Sequence, residues 1–211
     1  MEDKTLDIKT LSLGELGTNC YIVSKNKEAL IIDPGGEANR INHYLNQENI
    51  RPTAILLTHA HFDHIGAVDQ LREKYHTPVY LHPAEKDWLM DPKLNSSSYF
   101  PLGEIIVKPA DHFFEIGKMS LGEFNFDVLH TPGHSPGGVS FVFNELTTVI
   151  SGDCLFQGGI GRTDLVGGDQ LTLIQSIKKL YQLPDKYSVL SGHGPETTIA
   201  YEKKYNPFVK G

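Results

Sequence analysis

Two periods of apolar residues run along the chain. Short β-like runs come first, at Leu6 to Leu13, Cys20 to Ser24 and Ala29 to Ile32. The last runs into Asp33-Pro34-Gly35-Gly36, a strong turn signal. An amphipathic stretch follows from Glu37 to Leu45, and then a buried strand, Ala54-Ile55-Leu56-Leu57. Val68, Leu71 and Tyr75 recur at spacings of three and four, which predicts a helix from Gly66 to Tyr75. Val79 to Leu81 reads as a strand and His82 to Leu89 as a short helix. Residues 91–110 are rich in Pro, Ser and Asn and read as a long loop near a functional site.

The second half has the same grammar. Strands are predicted at about 124–130, 139–143 and 146–151, a helix at about 169–181, and a last strand from Ser188 to Leu190. No linker-like composition separates the halves, so residues 1–211 are expected to form one domain. Strands followed by helices in both halves suggest two packed sheets with helices outside.

Composition narrows the function. The chain has 211 residues, 39% hydrophobic and 21% charged, which is the range of a folded globular protein. Its net charge of -7 disfavours a general nucleic-acid binder, because an acidic surface repels a phosphate backbone. The N-terminus lacks an apolar signal core and no run is long enough to span a bilayer, so a cytoplasmic protein with no membrane partner is expected. Cys20 and Cys154 form no CxxC pair and read as small buried residues.

The chemistry concentrates at strand ends. His59, His61, Asp63 and His64 stand in THAHFDHIG, directly after the buried run at 54–57. Three further candidates follow apolar strands: His134 in LHTPGHSPGG, Asp153 in VISGDCLF and His193 in VLSGHGP. Each cluster carries Gly or Pro, so the backbone turns sharply there. In an extended segment, residues two apart point the same way, so His59 and His61 can reach one ion together. Asp63 and His64 are adjacent and can share a second ion only if the chain curls into a helix. His134 would complete the first ion, His193 the second, and Asp153 would bridge. Imidazole with carboxylate suits zinc first, with iron or manganese as alternatives. Three or four protein ligands per ion leave room for a shared water. His43, His76, His82, His112 and His130 stand alone and read as surface or core residues. Arg162, in FQGGIGRTD, has two open readings: support for the metals or substrate, or an ordinary ion pair with Asp164. Lys203, Lys204 and Tyr205 read as a solvated face.

On these residues the chain resembles the metallo-β-lactamase superfamily, whose hallmark H-x-H-x-D-H stands at 59–64. The resemblance runs from Gly17-Thr18-Asn19 through Asp33-Pro34-Gly35 to His193. It is most similar to the glyoxalase II-like hydrolases in Thr131-Pro132-Gly133-His134-Ser135-Pro136-Gly137, Ser151-Gly152-Asp153 and Gly192-His193-Gly194-Pro195. Gly161-Arg162-Thr163-Asp164 and Asn206-Pro207-Phe208 resemble short, single-domain bacterial members. The resemblance implies an αββα sandwich of two mixed sheets with helices on the outer faces, and a dinuclear site with the ligand split given above.

Two departures are informative. Residues 194–211 are too few for the C-terminal helical domain with which longer glyoxalase II enzymes grip glutathione. Zinc β-lactamases with a cysteine ligand differ too, because Asp153 stands at that place and Cys154 beside it reads as packing.

The expected function is hydrolysis of a small acyl-thiol, such as S-lactoylglutathione or an acyl-bacillithiol, by hydroxide bridging two divalent ions. Asp63 would orient that hydroxide and take its proton. A persulfide dioxygenase with one iron, and a lactonase, are the alternatives on the same fold. The natural carrier and the oligomeric state stay open at this stage.

Overall fold

The computed structural model describes residues 5–211. Two six-stranded mixed sheets face each other. The first has strands in chain order, β1 (Asp7–Leu13), β2 (Thr18–Lys25), β3 (Glu28–Ile32), β4 (Arg51–Leu56), β5 (Val79–Leu81) and β6 (His112–Phe113). The first three pair antiparallel, and β3 to β6 run parallel. The second sheet is built from β7 (Gly117–Leu121), β8 (Phe124–His130), β9 (Val139–Phe143), β10 (Thr148–Gly152), β13 (Ser188–Ser191) and β14 (Thr197–Thr198). Only β10 and β13 are parallel there. A small hairpin, β11 (Leu155–Phe156) with β12 (Gly159–Ile160), forms a sheet of its own whose Leu155 packs into the core of the second sheet.

The apolar pattern explains the layers. In β4 and the residue after it, Ala54 and Leu56 join the core between the sheets, whereas Ile55 and Leu57 join the core on the outer face. A strand buried on both sides reads as a continuous apolar run rather than an alternation. The outer core of the first sheet is closed by α1 (Ala38–Gln47) and α3 (Val68–Tyr75), through Ala38, Ile41, Leu45, Val68 and Leu71. The second sheet is covered by α4 (Gln170–Leu180) and α5 (Ile199–Tyr205) through Leu173, Ile177, Leu180 and Ile199. Both of these helices begin at side-chain caps: Asp169 accepts from Thr172 N–H at 2.7 Å, and Thr198 from Tyr201 N–H at 3.1 Å. The αββα sandwich expected from the sequence is therefore the observed fold.

Local expectations needed correction in places. The helix predicted from Gly66 to Tyr75 is observed as α3, starting two residues later, and a further short helix, α2 (Phe62–Ile65), precedes it, the two separated at Gly66 and Ala67. A Cβ at Gly66 would lie 2.4 Å from the carbonyl oxygen of Gly35, so the break is where the DPGG turn packs. The helix predicted from His82 to Leu89 is two short 3-10 turns, Pro83–Glu85 and Trp88–Met90. Strands β6, β7, β11, β12 and β14 and helix α5 had no clear apolar signal. Most are short or half-exposed.

Among the described residues, no helix is long and apolar enough to cross a membrane.

Phe141 packs between the sheets against Phe114 and Phe126, with ring centroids 5.3 and 5.8 Å away. Its replacement, Phe141→Ala, is expected to cost about 3–5 kcal/mol. Urea unfolding checks this as a lower midpoint at unchanged slope. A loss below about 1 kcal/mol would show that this core is not tightly packed.

Candidate metal centre

All seven residues singled out from the sequence meet at one edge of the sandwich. Thr58 and His59 follow the end of β4, and His134 follows β8 through a tight Pro-Gly turn. Asp153 follows β10 and His193 follows β13. Asp63 and His64 lie in α2, whose first turn supplies the curl that an adjacent pair requires. Three side-chain groups have donor atoms within 4.8 Å of one another: His59 with His61 and His134, Asp63 with His64 and His193, and between them Asp33 with His59 and His64.

Asp153 lies between the first two. One carboxylate oxygen is 3.6 Å from His134 Nε2 and 3.6 Å from His193 Nε2, and the other is 3.5 Å from His64 Nε2. The backbone was shaped for this closeness. A Cβ at Gly192 would fall 2.0 Å from Asp153 Oδ1.

Outward-facing hydrogen bonds set the imidazoles. His64 Nδ1 donates to Asp33 at 3.0 Å, His134 Nδ1 to the carbonyl of Arg162 at 2.8 Å, and His193 Nδ1 to that of Leu16 at 3.3 Å. Thr58 gives its hydroxyl proton to Asp33 at 2.6 Å, so its oxygen accepts from His59 Nδ1 at 3.1 Å. Each of these rings therefore turns its Nε2 to the centre. Burial disfavours a charged His64 or His193, but the Asp63 and Asp153 carboxylates outweigh it and raise both, so a metal bound there would displace a proton. His61 turns its Nδ1 instead, 2.8 Å from His134 Nε2.

The donor set fits metal ions. His59 Nε2, His64 Nε2 and Asp153 Oδ1 are buried and make no hydrogen bond. Buried polar atoms without partners are costly, and here they converge on two shared points. Burial and the neighbouring imidazoles push His59 down and His61 to about 3, so both present lone pairs near neutrality. Burial opposes the charge on Asp63 and Asp153, but His64 and its neighbours outweigh it. Asp63 is held well below the usual carboxylate range and Asp153 at about 2. The His and Asp groups thus fit a dinuclear metal site.

The sequence pointed to these seven and missed their supports. Asp33, in the turn after β3, accepts from Thr58 N–H at 2.7 Å, from the Thr58 hydroxyl and from His64. It does so in the left-handed region, at φ 51. Thr18 donates to Asp63 at 2.8 Å. The DPGG and GTN motifs were the available signals for both.

Arg162 resolves into two parts. Its carbonyl orients His134, while its guanidinium is bound bidentately to Asp164, at 2.7 and 2.7 Å. Lys203 pairs with Asp185 at 2.6 Å and Lys204 lies over Tyr205, as a solvated face would.

The remaining histidines stay outside these groups. His43 and His76 are exposed, His112 lies tilted against Tyr80, and His82 stacks on His130. Cys20 and Cys154 are buried and free, and burial pushes the Cys154 thiol up to about 12.

The centre opens into a cleft of about 410 Å³. Leu16, Phe62, Phe100, Phe156 and Leu165 form its apolar walls, and His61, Asp63, His134, Asp153 and His193 reach its floor. Ser96 and Phe100 bring the loop at 91–110 to its rim, as expected.

A family model described as the metallo-beta-lactamase superfamily matches residues 13–193. The chain is 52% identical over 205 residues to the probable metallo-hydrolase YqgX of Bacillus subtilis, covering 96% of this chain and 97% of that protein. It is 38% identical over 208 residues to the hydroxyacylglutathione hydrolase GloC of Haemophilus influenzae, covering 97% and 98%. Among solved structures, the BLEG-1 B3 metallo-β-lactamase superposes with a TM-score of 0.94 at 50% identity, over 97% of this chain and all (100%) of that one. TTHA1623 in a di-iron-bound form superposes at 0.86 and 42% identity, over 95% and 100%.

The Asp33 network generates a prediction. Asp33→Asn leaves the volume unchanged but removes one acceptor from the Thr58–His64 junction. Metal affinity is expected to fall by about 10- to 100-fold, read by competition with a chromophoric chelator. Unchanged affinity would show that His64 needs no such anchor. On this fold, with this donor set and a family match spanning most of its length, the chain belongs to the metallo-β-lactamase superfamily.

Proposed function

We propose that the protein is a dinuclear metallo-hydrolase that cleaves the thioester of a small thiol, such as S-lactoylglutathione or an acyl-bacillithiol. The observation that carries this reading is the convergence of seven imidazole and carboxylate groups, five of which reach the floor of one cleft. His59, His61 and His134 would hold one ion and Asp63, His64 and His193 the other, with Asp153 facing both. Zinc suits this mixture of imidazole and carboxylate. Iron is the alternative raised by the di-iron form of TTHA1623, and manganese accepts the same ligands. A pair of such ions supplies a water of lowered pKa and polarises a substrate carbonyl.

The chain's own residues do the rest. Asp63 stays anionic, fixed by Thr18 at 2.8 Å and by His193 at 3.1 Å. Its carboxylate is suited to orienting a water by accepting a hydrogen bond, and it holds no proton to supply. No strong acid stands beside it in the cleft wall. A thiol leaving group needs none, because its pKa is about 8.5 and it departs as thiolate. The apolar walls keep bulk water from the reacting carbonyl. The 38% identity to GloC supports the thioester reading.

A second reading, hydrolysis of a β-lactam amide, is favoured by the 50% identity to BLEG-1. An amide leaves less readily than a thiolate, so the first reading is preferred. The persulfide dioxygenase alternative uses one iron, and the complete group of Asp63, His64 and His193 speaks against it. A cleft of about 410 Å³ supports a small-molecule substrate over nucleic acid or a membrane.

The zinc-loaded protein is expected to hydrolyse S-D-lactoylglutathione, and a chelator to abolish that turnover. His61→Ala is expected to lower it by more than about 100-fold, beyond the effect of losing a mere supporting partner, with the far-ultraviolet circular dichroism unchanged. Two bound metal equivalents without thioester turnover would sink the reading. Turnover of a chromogenic cephalosporin would then favour the amide, and oxygen uptake with glutathione persulfide the dioxygenase.

A further inference from the structure

Glu85 is fully buried and takes no part in the chemistry above. It lies at the end of the 3-10 turn Pro83–Glu85, in a segment the apolar pattern read as plain helix. Its two carboxylate oxygens have separate partners. One accepts from the backbone N–H of Ala60 at 2.6 Å, the other from that of Gly137 at 2.8 Å. Ala60 is the residue between His59 and His61. Gly137 closes the turn that begins at His134. One side chain thus joins the two loops that carry three histidines of one group, and it touches neither α2 nor the loop of His193 through these bonds. The same segment supplies Trp88, whose ring lies 5.7 Å from that of His61.

We propose that Glu85 is a positioning residue for the metal held by His59, His61 and His134, and for that metal alone. The inference rests on the ligand split proposed above. A buried ionisable group is expensive, so packing alone would favour an apolar side chain or an amide. Burial pushes the Glu85 carboxyl up to about 7, against the pull of its hydrogen bonds. What a carboxylate offers and an amide cannot is two acceptors on one rigid plane. Glutamine would satisfy one N–H and turn its own N–H toward the other. One of the two loops would then lose its anchor.

The clamp also has a steric half. A Cβ on Gly137 would fall 2.8 Å from Glu85 Cγ and 2.9 Å from its carboxyl carbon. The φ of Gly137 is not in the left-handed region, so alanine is tolerated by the backbone there. Gly137→Ala therefore displaces Glu85 without removing its charge.

The test titrates Zn²⁺ into metal-free protein and follows the imidazole proton signals by magnetic resonance. In Glu85→Gln, the signals of His59, His61 and His134 are expected to saturate at about 10- to 100-fold higher free Zn²⁺ than in the wild type. Those of His64 and His193 are expected to saturate where they do in the wild type. Gly137→Ala should reproduce this split. Equal shifts of both sets, or no shift in either, would overturn the proposal. If neither variant folds, Glu85 is a residue of the fold rather than of the site, which overturns it too. Wild-type signals of His59, His61 and His134 that ignore Zn²⁺ would instead remove the ligand split beneath it, an outcome distinct from the others.

Discussion

The structure depends most on the junction at Asp33. A carboxylate in a left-handed turn, almost wholly buried, receives the Thr58 N–H, the Thr58 hydroxyl and His64 Nδ1. Three elements end or begin there: β3, the segment after β4, and α2. An anion so deep is tolerable only with its hydrogen bonds filled, so the three cannot drift apart independently. His59 takes its tautomer from Thr58 and His64 takes its tautomer from Asp33. A single buried carboxylate thereby decides which nitrogen faces the centre in both groups.

Around that junction the site is assembled by backbone as much as by side chains. Carbonyls of Arg162 and Leu16 orient His134 and His193. Glycines let the chain come close, as at Gly35, where a Cβ would fall 1.8 Å from the Asp63 carbonyl oxygen. The side chains that converge are therefore rigid before anything binds. That rigidity is what a hydrolytic centre requires, because loosely held ligands lose affinity and geometry together.

Much of this was legible in the sequence for one physical reason. Ligands at the ends of apolar strands must be followed by turns, and turns are written in Gly and Pro. His59 to His64, His134, Asp153 and His193 all carry that signature. The buried strands at 54–57, 139–143 and 188–190 announced themselves by continuous apolar runs. What stayed hidden was short, weakly buried or set by contacts between distant segments. Strand β7 alternates between exposed and half-buried positions at the sheet edge, and β6 and β14 are two residues each. The split between α2 and α3 arises from Gly35 pressing on Gly66, a contact between distant segments. Glu85 looked like one more helical charge, because its partners, Ala60 and Gly137, are backbone groups far away in the chain.

The distribution of the seven groups over the two sheets has a further consequence. His59, His61, Asp63 and His64 come from the first sheet, whereas His134, Asp153 and His193 come from the second. An occupant of the centre is a cross-link between the two halves. Its ligands come together only in the folded chain, so its binding free energy adds to the stability of the fold as well as to the order of the site. Occupancy then reports on folding as well as on catalysis. A cell that withdraws the metal would loosen the sandwich at its working edge while leaving the phenylalanine layer between the sheets to hold the remainder.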